Sequence, residues 1–243
     1  TYGDLVRAHE EFKPIEITTL DDGTLIYDFG QNFAGVIKAS FSNCKKDQKI
    51  IFRHAEILMD GKLFTKPLRS AKAELTYICN GNKKQEYSPS FTFMGFRYVS
   101  VEGIKQKDLK LSALALYSDI KRTGTFNCSN ELLNQLQSNI VWSTKSNFVD
   151  IPMDCPQRDE RMGWTGDIAL FSATASFNFD TSRFYNKWLR DLRTDQKRTG
   201  GIPVTIPHVV FPTNYESIFV MAIDHWGDSC ILVPWAEYQA RGN

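Results

Sequence analysis

The sequence predicts a two-part chain, an antiparallel β-sandwich over residues 15–120 followed by an α-helical region over 121–243. Three observations carry this. Short apolar–polar alternations fill the first half, whereas apolar residues recur at helical spacing in the second. Turn dipeptides punctuate the first half at hairpin spacing. All five tryptophans (142, 164, 188, 226 and 235) lie after residue 141, although the first half is rich in Phe and Tyr. Residues 1–14 read as the end of a preceding domain or as a linker.

The strands follow in order. Thr24–Tyr27 comes after Asp22-Gly23, and Val36–Phe41 after Gly35. Lys49–His54 precedes a Met59-Asp60-Gly61 turn, and Leu75–Cys79 precedes Asn80-Gly81-Asn82. Arg97–Val101 and Leu111–Tyr117 complete the set. Short strands at this spacing suit an antiparallel sandwich, and Gly in Asp22-Gly23 and Asn80-Gly81 accepts the positive φ of a tight turn. Beyond Lys121 the period changes. Ser129 is the expected N-cap of a helix carrying Leu132, Leu133, Leu136, Ile140 and Val141. A second helix is expected from about Thr165 to Phe177. A third runs from about Thr181 to Gln196, with Trp188, Leu189 and Leu192 on its buried side. Gly200-Gly201 with Pro203, Pro207 and Pro212 marks a long loop. Helix returns near Ser217, broken or kinked at Gly227 and Pro234. The residues up to Asn243 read as a cut rather than a natural end.

Composition narrows the function. Lys+Arg number 29 against 28 Asp+Glu, for a net charge of +1. That balance argues against nucleic acid or an anionic membrane as the main partner, since both call for a basic patch. No apolar run approaches the roughly 18 residues of a membrane span, and no cationic, apolar leader opens the sequence. The five cysteines (44, 79, 128, 155 and 230) are scattered and odd in number, implying neither a disulfide scaffold nor a zinc site. His54 and His225 are read as core or surface residues rather than a metal pair. No metal or cofactor is expected, and the compartment stays open.

The densest chemistry lies in Asp154-Cys155-Pro156-Gln157-Arg158-Asp159-Glu160-Arg161-Met162-Gly163-Trp164-Thr165-Gly166-Asp167. It falls between two expected helices, where a scaffold can display a loop. Such crowding suits a carbohydrate site: sugar hydroxyls need bidentate polar partners, and an apolar ring face needs an aromatic platform. Like-charged neighbours and burial can also raise one carboxyl pKa, as a general acid requires. Taken alone, Arg158–Arg161 equally describes a solvated salt-bridge cluster, Trp164 a core residue, and Asp167 a carboxylate in the first turn of a helix. Cys155, without a neighbouring base, reads as a packing residue.

This stretch resembles the signature of bacterial α-L-rhamnosidases of glycoside hydrolase family 78, with Met162 at the variable position. Tyr27-Asp28-Phe29-Gly30-Gln31-Asn32-Phe33-Ala34-Gly35, Arg53-His54-Ala55-Glu56, Leu68-Arg69-Ser70-Ala71 and Gly95-Phe96-Arg97-Tyr98 resemble that family's β-sandwich domain. Thr123-Gly124-Thr125-Phe126, Lys187–Leu192 and Trp226-Gly227-Asp228 are similar to segments of its (α/α)6 barrel. Met94 departs from the family, where His often precedes Gly-Phe-Arg-Tyr.

The resemblance implies a β-sandwich followed by the first part of an (α/α)6 six-hairpin barrel. It also implies release of terminal α-L-rhamnose from glycosides with inversion. Glu160 matches the family's general acid. Asp154, Arg158 and Asp167 match residues that bind the rhamnose hydroxyls. Trp164 matches a platform beside the sugar, and Trp226 is expected to join it; Asp228 could equally be structural. Twelve barrel helices need on the order of 300 residues. The chain is therefore expected to be a fragment lacking the general base, inactive alone, with apolar helix faces that could support a homo-oligomer. Glu216 and Glu237 lie outside the segment where the family carries that base. Two other readings stay open: a six-hairpin glycosidase for another terminal sugar, and a non-catalytic carbohydrate-binding module.

Overall fold

The computed structural model describes residues 3–196, 198, 200–209 and 223–242. The chain divides into two compact units. One comprises Ala8–Tyr117 with Cys155–Asp159; the other comprises Thr1–Arg7, Ser118–Asp154 and Glu160–Asn243.

The first unit is built on antiparallel strands: β1 (Val6–Phe12), β2 (Glu16–Thr19), β3 (Leu25–Ser42), β4 (Lys49–Ala55), β5 (Leu58–Met59), β6 (Lys62–Leu63), β7 (Glu74–Ile78), β8 (Lys84–Tyr87), β9 (Met94–Glu102) and β10 (Leu109–Ser118). The main sheet runs β1-β10-β3-β9-β4-β7, and β2 and β8 also pair with β3. The expected antiparallel β architecture therefore stands, with one merger and several additions. The runs at Thr24–Tyr27 and Val36–Phe41 belong to a single 18-residue strand, β3. Its register against β9 shifts between Asp28 and Phe33, so the strand bends at an irregularity rather than ending at its glycines. β1, β2 and β8 are strands that the alternation did not disclose; β1 and β2 are largely solvent-facing and carry little apolar signal. The Asp22-Gly23 turn closes the β2–β3 hairpin, with Gly23 at φ 86° and Thr24 N–H donating to Asp22 Oδ1 at 2.9 Å. β10 shows the period-2 logic plainly: Leu109, Leu111, Ala113, Ala115 and Tyr117 are buried, and the residues between them are less so. Phe29, Phe33, Phe52 and Phe96 fill the core with His54, whose ring stands edge-on to Phe96 at 4.8 Å.

The second unit contains, among the described residues, helices α1 (Glu131–Asn147), α2 (Thr165–Asn178), α3 (Ser182–Asp195) and α4 (Ser229–Arg241). A short hairpin, β11 (Phe148–Val149) with β12 (Ile151–Pro152), follows α1. Asn130, not Ser129, caps α1, accepting from Leu132 N–H at 3.0 Å. The expected apolar stripe of α1 is only partly used: Val141 is buried, whereas Leu132 is 80% exposed and Leu136 is 53% exposed. α2 and α3 lie close to where periodicity put them. Trp188 of α3 is fully buried and donates its indole N–H to Ile206 O at 3.3 Å. Phe148 stacks on Phe184 at 4.4 Å. Pro234 sits inside α4. The helix start near Ser217, and Glu216, lie outside the described residues. Glu237 has a structural place: buried, it accepts from Thr181 Oγ1 at 2.9 Å and Ser182 Oγ at 2.6 Å, and it pairs with Arg241. No helix among the described residues is long and apolar enough to cross a membrane.

Candidate active site

The signature begins just after β12 and ends in the first turn of α2. Asp154 and Met162 are tied together. Asp154 N–H donates to Met162 O at 3.2 Å, and Met162 N–H donates back to Asp154 Oδ1 at 3.3 Å. The chain between them turns sharply, with Glu160 at φ 107° and Arg161 at φ 55°. Both angles are unfavourable for residues with a Cβ and cost about 1–3 kcal/mol each, so they persist only where the surroundings fix them. This irregular backbone delivers Glu160 half-buried, with its carboxylate within 4.8 Å of that of Asp154. Two carboxylates offer fewer oxygens than the six or more a calcium ion takes.

Downstream, Trp164 is the residue preceding α2; it bridges to Thr205, and Thr165 N–H donates to Val204 O at 2.9 Å. Gly166 is the seat of a second aromatic. A Cβ built on it would lie 2.8–3.0 Å from Cε2, Cδ2 and Nε1 of Trp226. The indole therefore lies against the backbone of α2's first turn at Gly166, the residue before Asp167. Its N–H is buried with no hydrogen-bond partner among the described residues. Such a buried donor is one a ligand oxygen could satisfy.

Asp154 and Asp167 line one cavity of about 390 Å³. Its polar edge also includes Asn147, and its apolar walls include Met153, Ile168 and Phe171. That volume falls in the 300–1,000 Å³ range of small-molecule sites. Of the residues singled out in the sequence, the helical unit thus brings Asp154, Glu160, Trp164, Asp167 and Trp226 onto the loop before α2 and its first turn. Arg158 falls in Cys155–Asp159, the segment grouped with the β-rich unit. Cys155 is buried, as a packing residue should be, and His54 is a core histidine. Sequence reasoning missed Asn147, Met153 and Phe171 as lining residues, since they sit on α1, beside β12 and on α2 without a motif of their own. Gly166 was quoted only as part of the signature.

The comparisons identify both units. Residues 18–117 match the bacterial alpha-L-rhamnosidase concanavalin-like domain, and residues 121–243 match the bacterial alpha-L-rhamnosidase six-hairpin glycosidase domain. The chain belongs to the bacterial alpha-L-rhamnosidase family. An alpha-L-rhamnosidase of Formosa agariphila is 40% identical over 225 residues, covering 90% of this chain and 23% of the relative. The crystal structure of a Streptomyces avermitilis alpha-L-rhamnosidase complexed with L-rhamnose superimposes with a TM-score of 0.93 at 36% identity, covering all of this chain and 23% of that one. The crystal structure of an Aspergillus terreus alpha-L-rhamnosidase gives a TM-score of 0.90 at 40% identity, covering 28% of that chain. The chain thus spans about a quarter of the length of the relatives it matches.

Proposed function

We propose that this chain supplies the acid half of the active site of an inverting α-L-rhamnosidase that releases terminal rhamnose from rhamnosides. The observation that carries the reading is the cavity lined by Asp154 and Asp167, with the Glu160 carboxylate within 4.8 Å of Asp154. Rhamnose presents hydroxyls on its ring and a methyl group in place of a hydroxymethyl. A wall of carboxylates opposite Met153, Ile168 and Phe171 suits that mixture, because each hydroxyl finds a charged acceptor and the methyl an apolar surface. Trp164 and Trp226 form the platform, and the buried indole N–H of Trp226 is available to a sugar oxygen. Arg158 is proposed as a further hydroxyl ligand.

In the reaction, Glu160 gives its proton to the glycosidic oxygen as the bond to the anomeric carbon breaks. An ionised carboxylate on the opposite face takes a proton from the attacking water. Inverting pairs stand roughly 6.5–9.5 Å apart to admit that water. Asp154 is too close to Glu160 to serve, and Glu237 is committed to Thr181 and Ser182. Following the family resemblance, and because the chain spans about a quarter of the length of its relatives, the base is assigned to a part of the protein beyond this chain, and the chain alone is expected to be inactive.

The test uses the full-length protein and a panel of aryl glycosides. Turnover of the rhamnoside alone, with β-L-rhamnose formed first by NMR, supports the reading; Glu160→Gln should cost about 10²- to 10⁴-fold on natural rhamnosides. Undiminished turnover by that variant removes Glu160 from the role of acid. The short Asp154–Glu160 separation favours one second reading, retention with Asp154 as nucleophile, and α-L-rhamnose as the first product would select it.

A further inference from the structure

The residue directly before Glu160 has no part in the assignments above, yet its side chain is held by a neighbouring turn. Ser70 Oγ–H donates to Asp159 Oδ2 at 2.5 Å, and Ser70 N–H reaches the same oxygen at 3.4 Å. Arg69 Nη1 stands 3.9 Å from Asp159 Oδ1. The receiving turn is closed by its own backbone hydrogen bonds. Arg69 closes a 3₁₀ turn over Lys66–Leu68 at φ 56°, Ala71 N–H returns to Leu68 O at 3.0 Å, and Leu68 is buried. Two residues before Asp159, Gln157 packs so tightly on the start of β9 that a Cβ on Gly95 would lie 2.7 Å from Gln157 Cβ and 2.9 Å from its Cα and N. The segment Cys155–Asp159 is thus seated at two points within its own unit.

The next two residues carry the φ values of 107° and 55°. A backbone in that region holds only when both flanks are fixed. On the far flank the Asp154–Met162 pair closes the loop. On the near flank the fixed point is Asp159.

We propose that Asp159 is a positioning residue whose anchorage on Ser70 and Arg69 holds the backbone of Glu160 so that its carboxyl meets the glycosidic oxygen. The proposal rests on Glu160 being the acid. Asp159 itself touches no reacting atom; it acts through the peptide that joins it to Glu160. Its carboxyl titrates below the ordinary aspartate range, chiefly because the Ser70 hydroxyl donates to it, so the anchor is an ionised acceptor. A misplacement of the acid by about 1 Å can cost 10²-fold in rate.

The experiment compares Ser70→Ala, Asp159→Ala, their double variant, Ser70→Thr and Glu160→Gln in the full-length protein. Substrates are 2,4-dinitrophenyl rhamnoside, whose leaving group needs no protonation, and an alkyl rhamnoside, whose leaving group does. The expected result is a loss of about 10- to 100-fold in kcat on the alkyl substrate, with KM little changed and the dinitrophenyl substrate nearly unaffected. The double variant should lose no more than either single one, because the two residues act through one contact. Ser70→Thr, which keeps the hydroxyl, should retain activity. Where Asp159→Ala does not fold, Ser70→Ala, which removes one hydroxyl, carries the comparison. Equal losses on both leaving groups, losses that multiply in the double variant, or full alkyl activity in Ser70→Ala each overturn the positioning role. If Glu160→Gln keeps full alkyl activity, it is the acid assignment that falls.

Discussion

Acid should weaken the β-rich unit through one side chain, His54. The imidazole is fully buried, and its Nδ1–H donates to Ala73 O at 2.8 Å. Its Nε2 is buried with no hydrogen-bond partner among the described residues. Burial drives its pKa down from 6.5 to about 4, with the Ala73 carbonyl opposing. Between those values the unfolded chain binds a proton that the folded one refuses, so stability rises with pH across the window. The contribution is intact above pH 6.5 and is lost as pH falls toward 4, where the folded form at last takes the proton. At 1.36 kcal/mol per unit, the loss reaches about 3 kcal/mol. His54→Asn offers the control, because the Asn amide can still donate to Ala73 O but does not titrate. The variant should be the less stable at pH 7, having vacated ring volume. Its disadvantage should shrink by most of that 3 kcal/mol at pH 4.5. Tryptophan fluorescence is blind to this unit, since all five indoles lie after residue 141. Urea unfolding is better followed by hydrogen exchange in peptides from β4 and β9. If wild type and His54→Asn differ by the same amount at pH 7 and pH 4.5, the imidazole titrates normally and the reasoning fails.

Three further expectations concern the site. Asp167→Ala should cost about 10- to 100-fold on rhamnose substrates and much less on an analogue lacking the hydroxyl it binds; equal losses measured on both would point to a structural role. Gly166→Ala should lower kcat/KM and thermal stability together, because the added methyl meets the Trp226 ring at 2.8–3.0 Å although helix propensity alone favours Ala by about 1 kcal/mol; a higher Tm with unchanged kinetics would show that the indole moves aside freely. Residues 1–243 expressed alone should show no turnover of aryl rhamnosides, and rapid turnover by the verified chain would place the base inside it.

Much of the architecture was legible because it is local. Asp22-Gly23 and Asn80-Gly81 turn where the dipeptides say, and α2 and α3 follow their apolar spacing and N-terminal boundaries. What escaped is non-local. Gly35 reads as the boundary before Val36–Phe41, whereas one strand runs through it, with its register against β9 shifting earlier, between Asp28 and Phe33. Leu132 and Leu136 sit on a helical stripe, but a stripe does not tell which partner will cover it. Asn130 outcompetes Ser129 as cap because its side chain reaches Leu132 N–H, a choice of one residue that composition does not decide. The signature disclosed the chemistry of the site, since carboxylates and indoles are crowded there. It did not disclose what holds the loop in shape. Ser70 and Asp159 are 89 positions apart, and nothing in either neighbourhood points to the other.

The length of β3 also sets a clock on synthesis. That strand finds β2 upstream, but β8, β9 and β10 all follow it, and β10 begins roughly 70 residues after it ends. At 5–20 residues per second, a ribosome needs roughly 3 to 14 s to deliver that last neighbour. During that interval an 18-residue apolar ribbon has unpaired backbone on a growing chain, the state in which strand edges recruit one another between nascent molecules. Yield should therefore respond to translation speed and to cellular factors that shield nascent strands far more than the finished fold's stability would suggest.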